Sequence, residues 1–334
     1  MKKSILTTLL LCIAILPSFA CTTFVMKRGN ELVFGRNLDW VSDNGVIVVN
    51  KRNTSKTAIV FAPDKAMQWT SKYGSVTFNQ FGKEFPFGGM NEQGLVVEIM
   101  LAKASYPLPD ERPALNELQW IQYQLDNSAS IKDVIESDKL LRISKINQDL
   151  HFLICDAAGK VAVIEFIDHK MKVYKDQTLP YPVLENDVYA RSLSNIKSNT
   201  SCRFTKAAHL VQNFTPSNPT PIVDYSFRIL DEVMLRGSWS IVYDITNRSI
   251  HFRTASNRQV RNFDMATFNF SCDGPTYLYD LENNSKGTIN AKFGPYSDSK
   301  NQEKMQDAMR TNLIIMPKEI KTLFYTYART CTCS

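Results

Sequence analysis

Glycine and proline are scarce in this sequence, with 13 and 14 residues among 334. These counts exclude collagen-like and low-complexity arrays, which require a large excess of one or both residues. The seven cysteines are too few to form a disulfide scaffold for a chain of this length. Because 44% of the residues are hydrophobic, the chain can bury a large core, which excludes an intrinsically disordered protein.

Blocks of like charge are also absent from the sequence. The formal net charge is +6, but no run of five or more like charges occurs. Without Lys2 and Lys3, which belong to a leader segment, 37 basic residues stand against 33 acidic ones, a net charge of +4. A nucleic-acid-binding protein is expected to concentrate basic residues on one element. The sequence therefore predicts no nucleic-acid partner.

Residues 1–20 have the pattern of a secretory signal peptide. Two lysines at positions 2 and 3 precede an apolar stretch over 5–16, and Ser18 and Ala20 occupy the −3 and −1 positions of a cleavage site before Cys21. The apolar stretch is shorter than the roughly 20 residues that a transmembrane helix requires. We therefore expect cleavage before Cys21, export to the periplasm or the medium, and no stable membrane insertion.

A cysteine directly after a leader is also compatible with a lipoprotein. Lipoprotein signals prefer a branched apolar residue at −3 and a small residue at −2, whereas this chain has Ser18 and Phe19 at those positions. The pattern favours ordinary cleavage, and lipidation of Cys21 stays open as an alternative.

The other cysteines of the exported chain would lie in an oxidising compartment, where disulfides form and persist. Cys331 and Cys333 at the C-terminus, together with Cys272, are candidates for a structural bridge. The sequence leaves the pairing among these three residues open.

Hydrophobic periodicity and turn residues predict an α+β protein. A hairpin is expected over 22–26 and 32–34, around a turn at 28–30. Further strands are predicted at 46–50, 57–61, 76–78, 95–101, 150–155, 161–167, 171–174, 240–244 and 250–253, and helices at 114–125, 131–141, 202–214, 222–235 and 302–327. Runs of strands that alternate with runs of helices are typical of α+β layers. No linker or repeat is visible, so we expect one domain over 21–334.

Cys21 is the strongest candidate for chemistry. After cleavage it would carry a nucleophilic thiol and a free α-amine on one residue, and an α-amine with a pKa near 8 can act as a general base. A Cys–His mechanism is the rival, but the histidines lack a protease signature and metal-ligand spacing; they are His151, His169, His209 and His251. The sequence predicts no metal or organic cofactor.

The segment 35–40 ends the return strand of the predicted hairpin. Antiparallel pairing places the end of this strand beside the start of the first, so Arg36 and Asp39 are expected near Cys21. A carboxylate there can orient the α-amine, and a guanidinium favours the thiolate form of the cysteine.

These features resemble the choloylglycine hydrolase family, which contains bile salt hydrolases and penicillin V acylases and belongs to the N-terminal nucleophile hydrolases. The matching segments are Cys21-Thr22 and the residues 35–40, 91–95, 183–187, 201–204 and 239–244. The resemblance implies a four-layer αββα sandwich with two antiparallel sheets, and a homotetramer. It also implies hydrolysis of linear non-peptide amides through an acyl-enzyme thioester.

Carried over residue by residue, the resemblance implies the following site: Cys21 as nucleophile, Arg36 and Asp39 beside it, the side-chain amide of Asn186 and the backbone N–H of Leu101 as oxyanion donors, and Arg203 as an electrostatic support. Two such donors and a proton-shuttling amine suit a tetrahedral intermediate.

The chain departs from the family pattern at positions that bear on substrate choice. Leu101 stands where bile-salt members usually have Asn and penicillin acylases often have Tyr, while Glu185 and Asp187 replace uncharged residues. Penicillin V, conjugated bile acids, N-acyl homoserine lactones and other N-acyl amines all remain open as substrates. The acyl group is expected to be apolar, and the candidate pocket residues are Trp40, Met67, Trp69, Tyr73 and Phe87.

The chemical state of Cys21 in the secreted chain distinguishes three classes of protein. Intact-mass spectrometry measures that state. We expect a mature mass that begins at Cys21, with a thiol that iodoacetamide alkylates. A diacylglyceryl increment on Cys21 would instead indicate a lipoprotein binding module. A disulfide at Cys21, with Arg36 and Asp39 tolerant of substitution, would indicate a secreted structural or interaction protein.

Overall fold

The structure is a computed structural model that describes residues 21–333, so the predicted leader lies outside the described residues. In chain order the strands are β1 Thr22–Arg28, β2 Glu31–Leu38, β3 Val46–Asn50, β4 Thr54–Thr57, β5 Gln68–Thr70, β6 Ser75–Asn79, β7 Gly88–Asn91, β8 Val96–Leu101, β9 Ala114–Leu115, β10 Arg142–Ile143, β11 Leu150–Cys155, β12 Val161–Ile167, β13 Lys170–Lys175, β14 Val183–Glu185, β15 Trp239–Asp244, β16 Ser249–Thr254, β17 Arg261–Asp264, β18 Tyr277–Asp280, β19 Gly287–Thr288, β20 Gly294–Pro295 and β21 Thr332–Cys333.

The α-helices are α1 Glu117–Asn127, α2 Ile131–Ser137, α3 Tyr189–Lys197, α4 Arg203–Gln212, α5 Ile222–Val233, α6 Asp298–Thr311 and α7 Lys318–Thr330. Single turns of 3-10 helix occur at Asp176–Thr178, Met265–Thr267 and Asn290–Lys292. Over the residues 21–333, none of the helices combines the length and the apolar character that crossing a membrane requires.

Two large sheets dominate the fold. One has seven strands in the order β14-β1-β2-β15-β16-β17-β19, and the other has nine in the order β13-β12-β11-β8-β7-β6-β3-β18-β20. All pairings in the nine-stranded sheet are antiparallel, and in the seven-stranded sheet only β17 and β19 run parallel.

The two sheets face each other, with helices on their outer sides. Strands β1 and β14 contact β8 and β11 across the interface, α4 and α5 cover the seven-stranded sheet, and α1 covers the nine-stranded sheet. Central strands are therefore buried on both faces, as in β11, where all six residues are buried. This arrangement confirms the α+β class and the four-layer αββα sandwich with two antiparallel sheets.

The first hairpin forms as the sequence predicts. Gly29 adopts a φ of 57° in the turn, a conformation that glycine reaches without strain. Gly35 on β2 lies against the ring of Phe24, and a Cβ at this position would come within 2.2 Å of that ring. The hairpin register that results pairs Thr23 with Arg36 and Thr22 with Asn37.

Two predicted elements are shifted in the structure. The strand expected at 57–61 is wrong, because pairing with β5 ends at Thr57. The helix expected from 114 begins at Glu117, since the side chain of Asn116 caps it by accepting hydrogen bonds from the backbone N–H groups of Leu118 and Gln119. Ala114 and its neighbour Leu115 instead pair with β10.

The single C-terminal helix expected over 302–327 is also wrong. The chain forms α6 and α7, separated by a loop that ends at Pro317. Proline disfavours helical backbone in the residue before it, and it suits the start of a helix, where its missing N–H is not needed.

A disulfide joins Cys272 to Cys333 and fixes the end of the chain, leaving Cys331 as a free cysteine. The same terminal segment forms β21, which pairs with β4. The bridge closes a separation of 61 residues. Cross-links over long loops reduce the entropy of the unfolded chain, so this bridge stabilises the fold.

Replacing Cys333 by Ser is expected to lower the free energy of unfolding by about 2–4 kcal/mol, the range typical for loss of a native disulfide. Urea denaturation measures the difference. Cys331→Ser removes a free thiol two residues away and serves as the matched control. Equal stability of the two variants would contradict the stabilising role of the bridge.

Candidate active site

Cys21 precedes β1, the strand that lies between β14 and β2 in the seven-stranded sheet. Its side chain is buried and its thiol is free. Residue Thr22 is paired with Asn37 on one side and with Glu185 on the other. Cys21 therefore lies beside the ends of both neighbouring strands, which carry the other predicted site residues.

The surroundings of Cys21 act on its thiol in opposite directions. Burial raises the pKa of the Cys21 thiol above its usual value, and the carboxylate of Asp39 also raises it. The charges of Arg36 and Arg203 and a hydrogen bond from the backbone N–H of Asp39 lower it without overcoming burial. The thiol is therefore protonated at neutral pH, and a nucleophilic attack requires a base that removes its proton.

Asp39 follows β2 and is fixed by the backbone of the segment after α5. Its Oδ1 accepts hydrogen bonds from the backbone N–H groups of Leu235, Arg236 and Gly237, at 3.2, 2.6 and 2.5 Å. Its Oδ2 is buried and has no hydrogen-bond partner among the residues that the structure describes. A buried carboxylate oxygen without a donor is costly, so this atom is suited to accept a further N–H group.

Arg36 forms a buried ion pair with Glu98 on β8, and its Nη2 donates to the carbonyl oxygen of Ile99 at 3.2 Å. Tyr243 donates its hydroxyl proton to the other oxygen of Glu98 at 2.5 Å. Burial raises the pKa of Glu98 to about 7, although the charge of Arg36 and the hydrogen bonds from Tyr243 and Arg36 oppose the change. Once it is ionised, above this pKa, Glu98 supplies the counter-charge of the guanidinium that lies inside the protein.

Sequence reasoning missed Glu98 and Tyr243. One signal was available for Glu98, since it is the single charged residue of the otherwise apolar strand β8. A carboxylate in a strand buried on both faces requires a cationic or hydrogen-bonding partner. The identity of that partner depends on the packing of two sheets, which the sequence does not show.

Asn186 directly follows β14, and its side-chain amide donates to the carbonyl oxygen of Leu101 at 3.1 Å. Ala102, which follows Leu101, donates its backbone N–H to the carbonyl oxygen of Asp149. This hydrogen bond lies on the side of β8 that faces β11. Backbone groups alternate sides along a strand, so the N–H and C=O of Leu101 both lie on the side of β8 away from β11, where the C=O accepts from Asn186. The two predicted oxyanion donors therefore lie together.

Arg203 is the first residue of α4, with its Nη2 at 3.7 Å from the carboxylate of Glu185. Its Nη1 is buried and makes no hydrogen bond within the described part of the chain. Glu185 and Asp187, the acidic residues at which the chain departs from the family pattern, both lie near arginines. The carboxylate of Asp187 is 3.5 Å from the guanidinium of Arg191. Their negative charges are therefore compensated beside Asn186.

His151 is the histidine closest to this arrangement, on β11. Its Nε2 lies 2.8 Å from the carbonyl oxygen of Glu185, and its Nδ1 lies 3.3 Å from Glu165. Both ring nitrogens are thus engaged, one with the backbone at the end of β14 and the other with a carboxylate of β12. Within residues 21–333, no group of three or more His, Cys, Asp and Glu side chains has an arrangement that would hold a metal ion.

A cavity of about 650 Å³ opens on Cys21. Trp40 and Phe87 line it, as the sequence predicts, together with residues of β8 and of the C-terminal helices. Met67, Trp69 and Tyr73 are not among the described lining residues, so their expected place in the pocket is wrong. Trp69, for example, is buried and donates its indole N–H to Asp126 of α1.

The sequence of this chain is similar to those of known amide hydrolases. The sequence model of the linear amide C–N hydrolases of the choloylglycine hydrolase family matches residues 21–211. A penicillin V acylase of Pectobacterium atrosepticum is 27% identical over 260 residues, which cover 67% of this chain and 69% of that relative. A bile salt hydrolase/transferase of Clostridium perfringens is 28% identical over 172 residues, or 46% of this chain and half of that relative.

The fold itself matches a solved structure. The penicillin V acylase of Agrobacterium tumefaciens superimposes with a TM-score of 0.72 and 24% identity, over 83% of this chain and 98% of that chain. The match shows that the two proteins share one fold.

Replacing Glu98 by Gln tests the raised pKa of this carboxyl group through the pH dependence of the free energy of unfolding. The pKa of Glu98 is about 7 in the folded chain against a usual value of 4.5, so between these values the folded state keeps a proton that the unfolded state has released. Raising the pH across this window therefore favours unfolding, by about 3 kcal/mol in total for this group. Glu98→Gln is expected to lack this dependence.

Urea unfolding at pH 4.5 to 8 measures the effect as the difference between wild type and variant. Glu303→Gln, at an exposed position of α6, is the matched control and is expected to follow wild type. Parallel stability curves for wild type and Glu98→Gln would contradict the raised pKa.

Proposed function

This chain belongs to the choloylglycine hydrolase family of linear amide C–N hydrolases, and we propose that it hydrolyses N-acyl amides with Cys21 as the nucleophile. The observation that carries the proposal is the position of the Cys21 thiol, which lies in the cavity wall beside Arg36 and near Asp39, Asn186 and the backbone of Leu101. We further propose that the active form is the exported chain, which begins at Cys21.

The base in this proposal is the α-amine of Cys21, freed by removal of the leader. Because burial keeps the thiol protonated, a nearby group must take its proton during the attack. Oδ2 of Asp39, which has no donor within residues 21–333, is the acceptor that would hold the amine in place. The three backbone N–H groups on Oδ1 fix the orientation of this carboxylate.

The oxyanion in this proposal forms between Asn186 and Leu101. Hydrogen bonds to a developing negative charge are worth most where the donors are already oriented and water is excluded. The amide of Asn186 is fixed by the carbonyl group of Leu101, and the N–H of Leu101 points to the same side. Arg203 and the buried Arg36 add positive charge around this point, as their effect on the pKa of Cys21 indicates.

The reaction proceeds in two halves. The Cys21 sulfur attacks the amide carbon as the α-amine takes the thiol proton, and a tetrahedral oxyanion forms. The amine then gives this proton to the leaving nitrogen, the C–N bond breaks, and the product amine departs from an acyl-enzyme thioester. Water, deprotonated by the same amine, attacks the thioester and releases the carboxylic acid, which restores the thiol.

The substrate class follows from the cavity lining. Trp40, Phe87 and other apolar side chains form most of its wall, with few polar groups, so the group held there is the apolar acyl part. The relatives are a penicillin V acylase and a bile salt hydrolase/transferase. Penicillin V and bile salts are therefore the first two substrates to assay, followed by fatty N-acyl amines.

Replacing Cys21 by Ala in correctly processed protein is expected to lower amine release by at least about a thousandfold, because loss of the nucleophile leaves only the oxyanion site and binding. A fluorogenic amine assay over the substrate panel measures the rate. Intact-mass spectrometry of acid-quenched wild-type reactions is expected to show the acyl group on Cys21.

Cys202→Ala is the matched control, since Cys202 is a second free cysteine, half-buried beside Arg203. It is expected to keep near-wild-type rates and the acyl adduct. Amidase activity in processed Cys21→Ala protein would overturn the proposed mechanism.

A further inference from the structure

The C-terminal hairpin, defined here as α6, α7 and the loop 312–317 between them, forms a large part of the cavity wall. Met309 of α6, Ile320 and Phe324 of α7, and the loop residues 312–316 all line the same cavity as Cys21. The family match ends at residue 211, so this wall lies outside the matched region. Cys21 is buried whereas Leu313 and Ile315 of the loop are exposed, so the loop lies at the solvent side of the cavity and would touch the part of a substrate away from the reacting bond.

The loop carries four consecutive apolar residues over 313–316. Leu313 and Ile315 are 83% and 96% exposed, the two highest values among the large hydrophobic side chains of the described chain. Leu313 also adopts a φ of 52°, a left-handed conformation that a bulky side chain rarely takes. Exposed apolar side chains and local backbone strain are both typical of ligand-binding loops.

Contacts at both ends hold the hairpin against the catalytic layer. The indole N–H of Trp40 donates to the side-chain oxygen of Asn312 at 2.5 Å, and Trp40 directly follows Asp39. At the other side, the ring of Phe324 packs against that of Phe85 in a tilted arrangement, with 5.1 Å between centroids. The disulfide to Cys272 then anchors the end of the chain after α7. The loop is thus a positioned wall of the cavity.

We propose that the loop 312–317 is the distal wall of the acyl site and selects substrates with a long aliphatic acyl chain. This inference rests on the proposed function, because it assigns a role in substrate selection to the far end of the cavity in which Cys21 would act. A long chain would pass Trp40 and cover Leu313 and Ile315, removing their apolar surface from water. A short acyl group stays near Cys21 and does not reach the loop.

Two variants distinguish substrates whose acyl chain reaches the loop from substrates whose acyl chain does not. Both are expected to have little effect on folding, since both side chains are exposed. Ile315→Ser removes apolar surface from the wall, and Leu313→Asn does the same with a residue that tolerates the left-handed conformation. Leu140→Ser is the matched control, because Leu140 is 60% exposed and does not line the cavity.

The kinetic test uses N-acyl glycines with butanoyl and dodecanoyl groups, which share one leaving amine. For dodecanoyl glycine, each loop variant is expected to raise KM about fivefold to tenfold, as partial loss of one buried aliphatic side chain predicts. Values for butanoyl glycine, kcat for both substrates and the Leu140→Ser control are expected to stay at wild-type levels. Equal effects on both chain lengths, or none, would overturn the inference.

A binding measurement keeps this inference separate from the proposed chemistry. Calorimetry with dodecanoate and butanoate, on a Cys21→Ala background, needs no turnover. Ile315→Ser is expected to weaken dodecanoate binding about fivefold to tenfold and to leave butanoate binding unchanged. Unchanged dodecanoate binding would overturn the inference even if wild type hydrolyses amides, and an inactive wild type that shows the expected binding would overturn the proposed function alone.

Discussion

The pairing of β1 on both of its edges is the constraint on which the site depends. The register with β2 places Thr23 opposite Arg36, and the register with β14 places Thr22 opposite Glu185. A shift by one residue would turn each side chain of β1 to the opposite face of the sheet and would separate Phe24 from Gly35, the residue that leaves space for its ring. That register brings Cys21 to the point where Asp39 and Asn186 leave their strands.

The site also requires that a charged side chain, that of Arg36, be buried between the two sheets. Arg36 is buried and can remain so because Glu98 lies on the facing sheet and Tyr243 donates to that carboxylate. Removing one partner would leave the other charge uncompensated in a medium of low polarity. The ion pair therefore couples the two sheets and holds a guanidinium near Cys21, where it favours negative charge on the sulfur.

The cavity joins two parts of the chain that are far apart in sequence. Its inner end is built by strands from the first hundred residues, and its outer wall by the C-terminal hairpin. The hydrogen bond between Trp40 and Asn312 connects the two parts directly. In the function that we propose, the inner end performs the chemistry and the outer wall chooses the acyl group.

The sequence alone determined the fold class, the first hairpin and the placement of Arg36 and Asp39 near Cys21, because strand periodicity and a tight turn are local properties. The roles of Asn186, Leu101 and Arg203 were inferred from the family resemblance and remain predictions. Only the tertiary structure decided which residues meet across the sheets, so Glu98 and Tyr243 were missed. It also decided that the C-terminal segment is two helices against the cavity, since the packing of distant elements leaves no periodic signal in the chain.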